Sequence, residues 1–317
     1  MLRRALYILL GLIAVLAVAV LGVFSVANSD WGRARIIALV EDATANGPIS
    51  LRIGAIDGPL PGRVDLRDVV ASDAEGPFAR AGLLVLDWRV LDLLTGRVSV
   101  DTLALSNARL DRLPILPETP EQPEPADPEP LSLTFESPAI EIALDRLSVD
   151  GLSLGEAVAG EAMTVSADLS AALTAGEARA RGWIEAAREL GPPARAEIDA
   201  ALVPSSGVLR AELSLREPEN GLVAGLLEVE GRPALDLSLT GEGSLAGWRG
   251  ALAGGFGPDA RVDLDLVLAS GAEGHRLAVA GSVAAARLAP PELRPLLAEP
   301  ATVDLAVLAR PDGSVGI

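Results

Sequence analysis

Apolar and polar residues alternate through most of the chain after position 48, and this pattern restricts the fold more than any other feature. Successive side chains of a β-strand point to opposite faces, so the alternation predicts strands with one apolar and one polar face. Gly and Pro separate the runs, as expected for turns. Clear examples are Val64-Leu66, Leu131-Leu133-Phe135, Ile140-Ile142-Leu144, Leu235-Leu237-Leu239 and Leu264-Leu266-Leu268.

Few helical stretches remain to cover the apolar side of these strands. The sheet must therefore bury this side itself, by sandwiching, closing or curling into a trough. We predict a mainly β fold, in which an N-terminal transmembrane helix and a short amphipathic helix precede an antiparallel-type sheet, and the residues alone leave these three arrangements open.

A long uncharged stretch lies near the start of the chain. The 23 residues from Ala5 to Ala27 carry no charge, and about 20 apolar residues are enough to cross a bilayer. Arg3 and Arg4 precede the stretch, so the positive-inside rule keeps the N-terminus cytoplasmic and exports the rest of the chain. The length favours an uncleaved anchor over a signal peptide cut after Ala27, and both alternatives send residues 28–317 to the same side.

Two further segments interrupt the alternation. Residues 28–48 predict an amphipathic helix that begins at Ser29 or Asp30 and plugs one end of the sheet. Residues 113–130 contain seven prolines and five acids, which predicts an extended, solvated loop. The predicted order is a cytoplasmic stub with a signal-anchor (1–27), the plug helix (28–48), a first β segment (49–112), the Pro/acid-rich loop (113–130) and a continued sheet that looks incomplete at its C-terminus (131–317).

Composition excludes several classes of function. The net charge of −18 would repel nucleic acid, and the absence of cysteine excludes disulfides and thiol catalysis. His275 is the single histidine, which is too few for an ordinary zinc site or a catalytic triad. We interpret acids such as Asp263 and Asp265 as the solvated side of a strand, and Trp88 and Trp248 as core or rim residues. The sequence therefore predicts no catalytic, cofactor-binding or metal-binding residues, and no enzyme activity.

Two stretches resemble a known family. "LRIGAIDGPLPGRVDLRDVVASDAEGPFARAGLLVLDW" at residues 51–88 and "LLTGRVSVDTLALSNARLDRLP" at residues 93–114, placed after an anchor and a helix, resemble the N-terminal part of the TamB family, within the wider AsmA-like group. Residues 213–250, "LSLREPENGLVAGLLEVEGRPALDLSLTGEGSLAGWRG", are similar to the alphaproteobacterial form of this family.

The resemblance implies a long β-taco, a curled sheet with an apolar groove, that is anchored in the inner membrane and extends through the periplasm. The TamB family is the inner-membrane part of the translocation and assembly module. It is associated with phospholipid transport to the outer membrane and with assembly or secretion of outer-membrane proteins. Family members are usually several times longer, and the C-terminal region that meets the outer-membrane partner TamA has no counterpart in these 317 residues.

Three functions fit the sequence. The first is a lipid conduit whose aliphatic trough holds phospholipid acyl chains. The second is a scaffold whose open sheet edge binds strands of client outer-membrane proteins by β-augmentation. The third is a closed β domain whose apolar residues pack on each other. With the resemblance, lipid transfer is the leading hypothesis, and its candidate groove residues are Leu131, Leu133, Phe135, Ile140, Ile142, Leu144, Leu235, Leu237, Leu239, Leu264, Leu266 and Leu268.

Overall fold

One continuous sheet contains most of the residues that the structure describes. The computed structural model describes residues 26, 28–45, 47–115, 140–188, 191–226, 231–244, 246–258, 260–271, 274–284, 300–310 and 315–316. Fifteen strands pair in chain order, each with the strands before and after it. They are β1 (Ser50–Asp57), β2 (Arg63–Asp73), β3 (Gly76–Trp88), β4 (Arg97–Leu110), β5 (Glu141–Leu154), β6 (Met163–Leu173), β7 (Ala178–Arg188), β8 (Ala194–Val203), β9 (Val208–Glu217), β10 (Leu235–Ser244), β11 (Gly247–Phe256), β12 (Ala260–Gly271), β13 (Gly274–Ala284), β14 (Ala301–Ala309) and β15 (Val315–Gly316).

Short helices lie at the ends of strands. Helix α1 spans Asp30–Thr44, α2 spans Glu156–Ala159 and α3 spans Leu222–Leu226, while a 3₁₀ helix at Val90–Thr95 joins β3 to β4. The prediction of a mainly β fold with one curled sheet is confirmed.

The prediction of an N-terminal transmembrane helix is wrong for the fold that the structure describes. Within the described ranges, no helix has both the length and the apolar character needed to span a bilayer. The 15 residues of α1 include charged groups such as Arg33 and Glu41, and a helix of that length covers only about 22 Å of the ~30 Å hydrocarbon core. Arg3, Arg4 and nearly all of the stretch from Ala5 to Ala27 lie outside the described residues.

The sheet also departs from the predicted antiparallel pattern at one place. Strands β4 and β5 pair in parallel, with Val98 opposite Ile142 and Leu105 opposite Val149. All other pairs of neighbouring strands are antiparallel. A parallel pair needs a connection that returns along the length of the strands, and the chain between β4 and β5 contains the Pro/acid-rich segment 113–130. Residues 116–139 lie outside the described residues.

Helix α1 packs on the first strand. Ile36, Ile37 and Val40 of the helix contact a small core formed by Ile53 of β1 and its neighbours Ile56 and Leu60. The hydroxyl of Ser29 accepts a hydrogen bond from the Gly32 N–H at 3.1 Å and so caps the helix N-terminus. The apolar side of α1 is therefore used to cover the start of the sheet.

Helix α1 also provides hydrogen-bond partners for the outer edge of β1. The Glu41 carboxylate accepts from the Ile53 N–H at 3.1 Å, and the Thr44 hydroxyl accepts from the Leu51 N–H at 3.1 Å. An unpaired strand edge is otherwise a template for further strands. Side chains of the helix thus occupy backbone groups that a neighbouring strand would use.

Two more side chains fix the turn that follows β1. The Asn28 amide accepts from the Leu60 N–H and donates to the Leu60 carbonyl, both at 2.8 Å. Arg33 donates to the carbonyls of Ile56 and Gly58 at 3.1 and 2.8 Å. The helix, the first strand and its turn are therefore joined by polar contacts as well as by the small core.

We expect Glu41→Ala to leave the Ile53 N–H without its acceptor and to lower the free energy of unfolding by about 1 kcal/mol. Hydrogen exchange at Ile53 should become faster, while Glu41→Gln, whose amide oxygen can still accept, should restore slow exchange. Asp42→Ala is the matched control, because Asp42 is an exposed acid on the same helix. Unchanged exchange at Ile53 in Glu41→Ala would contradict this role of the helix.

An ion pair fastens the chain after β4 to the β2–β3 turn. Arg112 donates to both carboxylate oxygens of Asp73, at 2.6 and 2.5 Å, and the Ile115 and Glu75 N–H groups donate to the same carboxylate at 2.8 and 2.9 Å. The hydrogen bond from Arg112 is the main reason that the pKa of Asp73 lies far below its ordinary value of 3.8. The ionised carboxylate is therefore favoured in the folded state.

This pair predicts an acid-sensitive contribution to stability. Because the pKa of Asp73 is lower in the folded than in the unfolded state, the contribution is complete well above pH 3.8 and is lost as the pH falls below that value. Asp73→Asn should lower the free energy of unfolding at pH 7 and make it less dependent on pH in the acid range. Denaturant unfolding between pH 2 and pH 7 measures both effects. If the free energy of unfolding falls equally with acid in the wild type and in Asp73→Asn, the Asp73–Arg112 pair is not the source of the acid sensitivity.

Candidate functional site: an apolar face across the sheet

Cross-strand register places the aliphatic residues side by side on one face of the sheet. We call this surface the apolar face and its lines of directly opposed residues rows 1 to 4. Row 1 crosses fourteen strands. Its members are Ile56, Leu66, Leu84, Leu105, Val149, Ala167, Ile184, Ala196, Leu215, Leu237, Gly254, Val262, Val283 and Ala301.

Row 2 lies next to row 1, two residues away on each strand, and is also mainly aliphatic. It runs from β2 to β14 and contains Val64, Leu86, Leu103, Leu147, Leu169, Gly182, Ile198, Leu213, Leu239, Leu252, Leu264, Gly281 and Val303. Rows 3 and 4 continue this surface. From β4 to β14, row 3 contains Val100, Leu144, Ala171, Ala180, Ala200, Ala211, Gly241, Gly250, Leu266, Val279 and Leu305. Row 4 contains Val98, Ile142, Leu173, Ala178, Leu202, Leu209, Gly243, Trp248, Leu268, Leu277 and Val307. The parallel pair β4–β5 also places aliphatic residues opposite each other, since Leu103 lies opposite Leu147. The apolar face is thus continuous through the change of strand direction.

Most residues of the apolar face are only half-buried. Leu213 is 36% exposed, Ile184 43% and Leu305 of row 3 41%. Among the described residues only twelve hydrophobic side chains are buried, which is few for a sheet of fifteen strands that covered its own apolar face. The side chains pack on their cross-strand neighbours, and the part of the chain that the structure describes places little of a second layer above them.

The opposite face of the sheet carries charges in pairs. Arg146 lies 2.6 Å from Asp168 and Arg181 lies 2.5 Å from Asp199. The Arg195 guanidinium stacks over the Trp183 ring at 4.5 Å from its centroid. Exposed pairs of this kind add little stability, but they keep this face hydrated while the other face is apolar.

A shallow groove of about 390 Å³ lies on the central part of the apolar face. It is lined mainly by Ile184, Ile198, Leu213, Leu215, Leu237, Leu239 and Leu252. A larger cavity of about 850 Å³ lies beside it at the start of β10, but charged residues such as Arg216 and Asp236 line that cavity. The smaller groove has the lining that an aliphatic chain requires.

Helix α3 is held at the end of β9 by a buried acid. The buried Glu217 carboxylate accepts from the Val223 N–H at 2.7 Å and from the Ala224 N–H at 2.9 Å, which fixes the helix on the strand ends. Leu235, opposite Glu217, is only 2% exposed. The same strand therefore has a covered end at Leu235 and an open part from Leu237 onward.

The groove residues predicted from the sequence fall into three groups. Leu237 lies in row 1, Leu239 and Leu264 in row 2, Leu144 and Leu266 in row 3, and Ile142 and Leu268 in row 4. Leu235 is on the same face but buried at the start of β10, and Ile140 precedes β5 and is 55% exposed. Leu131, Leu133 and Phe135 lie outside the described residues.

Sequence reasoning left several members of the central groove out. Ile184, Leu213, Leu215 and Leu252 line it. Leu213 and Leu215 stand in a run with the same alternation as the chosen residues, so this signal was sufficient to find them. Near Ile184 and Leu252, neighbouring Ala and Gly residues weaken the alternation. Only the strand register shows that these two residues lie on the apolar face.

No group of three or more potential metal ligands occurs among the residues that the structure describes. The single histidine, His275, lies 2.8 Å from the Ser270 hydroxyl through its Nδ1. Comparison of the chain with protein-family models, curated proteins and solved structures finds no match. The function is therefore argued from the apolar face itself.

A charge at Leu237 should be tolerated and one at Leu235 should not. Leu237→Lys places an ammonium group on the open part of the apolar face, where it can reach water, and should cost about 1 kcal/mol of lost packing. Leu235→Lys places the charge at a position that is 2% exposed and should cost about 3–5 kcal/mol. Circular dichroism and urea unfolding measure both effects. Equal, severe destabilisation by the two variants would show that the apolar face has a closed core.

Proposed function

We propose that the apolar face binds phospholipid acyl chains and that the protein takes part in phospholipid transport toward the outer membrane. In this proposal the sheet works on the periplasmic side of the inner membrane and also assists the assembly or secretion of outer-membrane proteins, as the resemblance to the TamB family implies. One observation carries it: four aligned rows of aliphatic residues cross the sheet, and over most of their length no other described residues cover them.

The energetics of such a face suit a carrier. Burial of one methylene contributes about 0.8 kcal/mol, so a chain of many methylenes gains from partial contact along its whole length. A half-covered chain keeps a route for release, unlike one enclosed in a deep pocket. Transport then depends on continuity of the apolar surface, and no single side chain is essential.

The dimensions also suit acyl chains. Neighbouring strands lie about 4.8 Å apart, so the thirteen steps along row 1 from β1 to β14 give a contour of roughly 60 Å. One leaflet of the hydrocarbon core is about 15 Å thick, half of the ~30 Å total. Several acyl chains could therefore lie in succession along the sheet.

The scaffold alternative receives less support at the first edge of the sheet. Binding of a client strand there needs free backbone groups on β1. Glu41 and Thr44 of α1 occupy the N–H groups of Ile53 and Leu51. The described contacts thus favour use of the apolar face over use of this edge.

Photo-crosslinking along β10 in living cells tests the proposal. A benzophenone residue replaces Leu235, Asp236, Leu237, Ser238 and Leu239 in turn, and mass spectrometry identifies phospholipid adducts. We expect adducts at 237 and 239, which face the groove, few at 235, which is buried, and none at 236 and 238. Absence of adducts at both 237 and 239 would reject lipid binding and leave a membrane-associated scaffold.

A further inference from the structure

Row 3 forms a narrow lane of small residues in the middle of the apolar face. From β6 to β11 its members are Ala171, Ala180, Ala200, Ala211, Gly241 and Gly250. Larger side chains stand on both sides, such as Leu213 in row 2 and Leu209 in row 4. The five steps between these six strands give a lane of about 24 Å, which exceeds the ~15 Å thickness of one bilayer leaflet.

Trp248 closes this lane at its β11 end. The residue belongs to row 4, opposite Leu268, but its ring leans sideways over the lane and lies against Gly241 and Gly250. A Cβ atom on either glycine would overlap the indole, so both glycines are required for this position of the ring. The ring therefore occupies the space that an acyl chain in the lane would need.

The indole N–H of Trp248 is a buried donor without an acceptor. The residue is 8% exposed, and its Nε1 atom has no hydrogen-bond partner within the part of the chain that the structure describes. Buried indole N–H groups usually find a partner. An aromatic ring over paired glycines stabilises a sheet, but this packing alone gives no reason for a tryptophan with an unsatisfied donor.

We propose that Trp248 is both the gate of the lane and the polar anchor for an ester-linked phospholipid. This inference rests on the proposed function. An acyl chain that enters the lane displaces the indole from Gly241 and Gly250, and the freed N–H donates to the ester carbonyl at the head of the chain. Binding then provides an acceptor for a donor that has none among the described residues. The carbonyl distinguishes diacyl phospholipids from lipids whose chains are attached by ether bonds.

The test compares two lipids in one sample. The full chain, with a benzophenone residue at Leu213 beside the lane, is reconstituted in vesicles that contain equal amounts of diacyl phosphatidylcholine and its dialkyl ether analogue. Mass spectrometry measures the ratio of ester to ether adducts. One hydrogen bond corresponds to about a tenfold preference, so we expect a ratio near ten in the wild type.

Substitutions then assign the preference to the indole N–H. Trp248→Phe and Trp248→Met both lack the donor and should bring the ratio close to one, and the ratio is taken from whichever variant keeps the β-sheet circular dichroism signal. Trp183→Phe is the matched control, because Trp183 stacks with Arg195 on the charged face. It should leave the ratio near ten.

The outcomes separate the two proposals. If the wild type forms adducts with both lipids in a ratio near one, Trp248 is not the polar anchor, but the apolar face still binds lipid. A high ratio that persists without the indole donor rejects Trp248 as its source. Absence of any adduct at 213 rejects the proposed function and this inference with it.

Discussion

The cross-strand register is the constraint on which the rest of this structure depends. Side chains alternate with a period of two, so a slip of one residue between any two strands would move every later aliphatic residue to the charged face. The pairing keeps Leu105, Val149, Ile184, Leu215 and Leu237 in one row, through the parallel pair and through the hairpins that follow. The apolar surface is continuous only because every pair of strands keeps its aliphatic residues on the same face.

The buried side chains that stabilise this sheet are unevenly distributed along it. Few of the described side chains are fully buried: Ile53 and Ile56 lie under α1, Leu235 lies at the start of β10, and the others are scattered along the sheet. Between these places each strand is held chiefly by its two neighbours, as in repeat proteins whose units contact only adjacent units. The open part of the apolar face can therefore accept changes that the covered ends cannot. The open apolar surface and the buried structural supports are thus separate regions of one sheet.

The sequence predicted the strands well, because alternation and turn residues are local signals. It did not predict the parallel pair, since alternation contains no information on strand direction. Leu235 and Leu237 stand in the same alternating run, yet Leu235 is 2% exposed and Leu237 lines the groove. Alternation reports which face a residue is on, but not which part of that face is covered. The position of the Trp248 ring likewise depends on which glycines the register brings beside it.

An open apolar face raises a physical problem that a lipid solves. Water over four rows of aliphatic side chains is unfavourable, and exposed apolar surfaces of this extent usually mark binding sites or aggregation hazards. An acyl chain on the face takes the place of the missing second layer and removes that water. A ligand that binds only the folded state stabilises it by mass action. In the proposed function, the cargo thus completes the fold of its carrier for as long as it is bound.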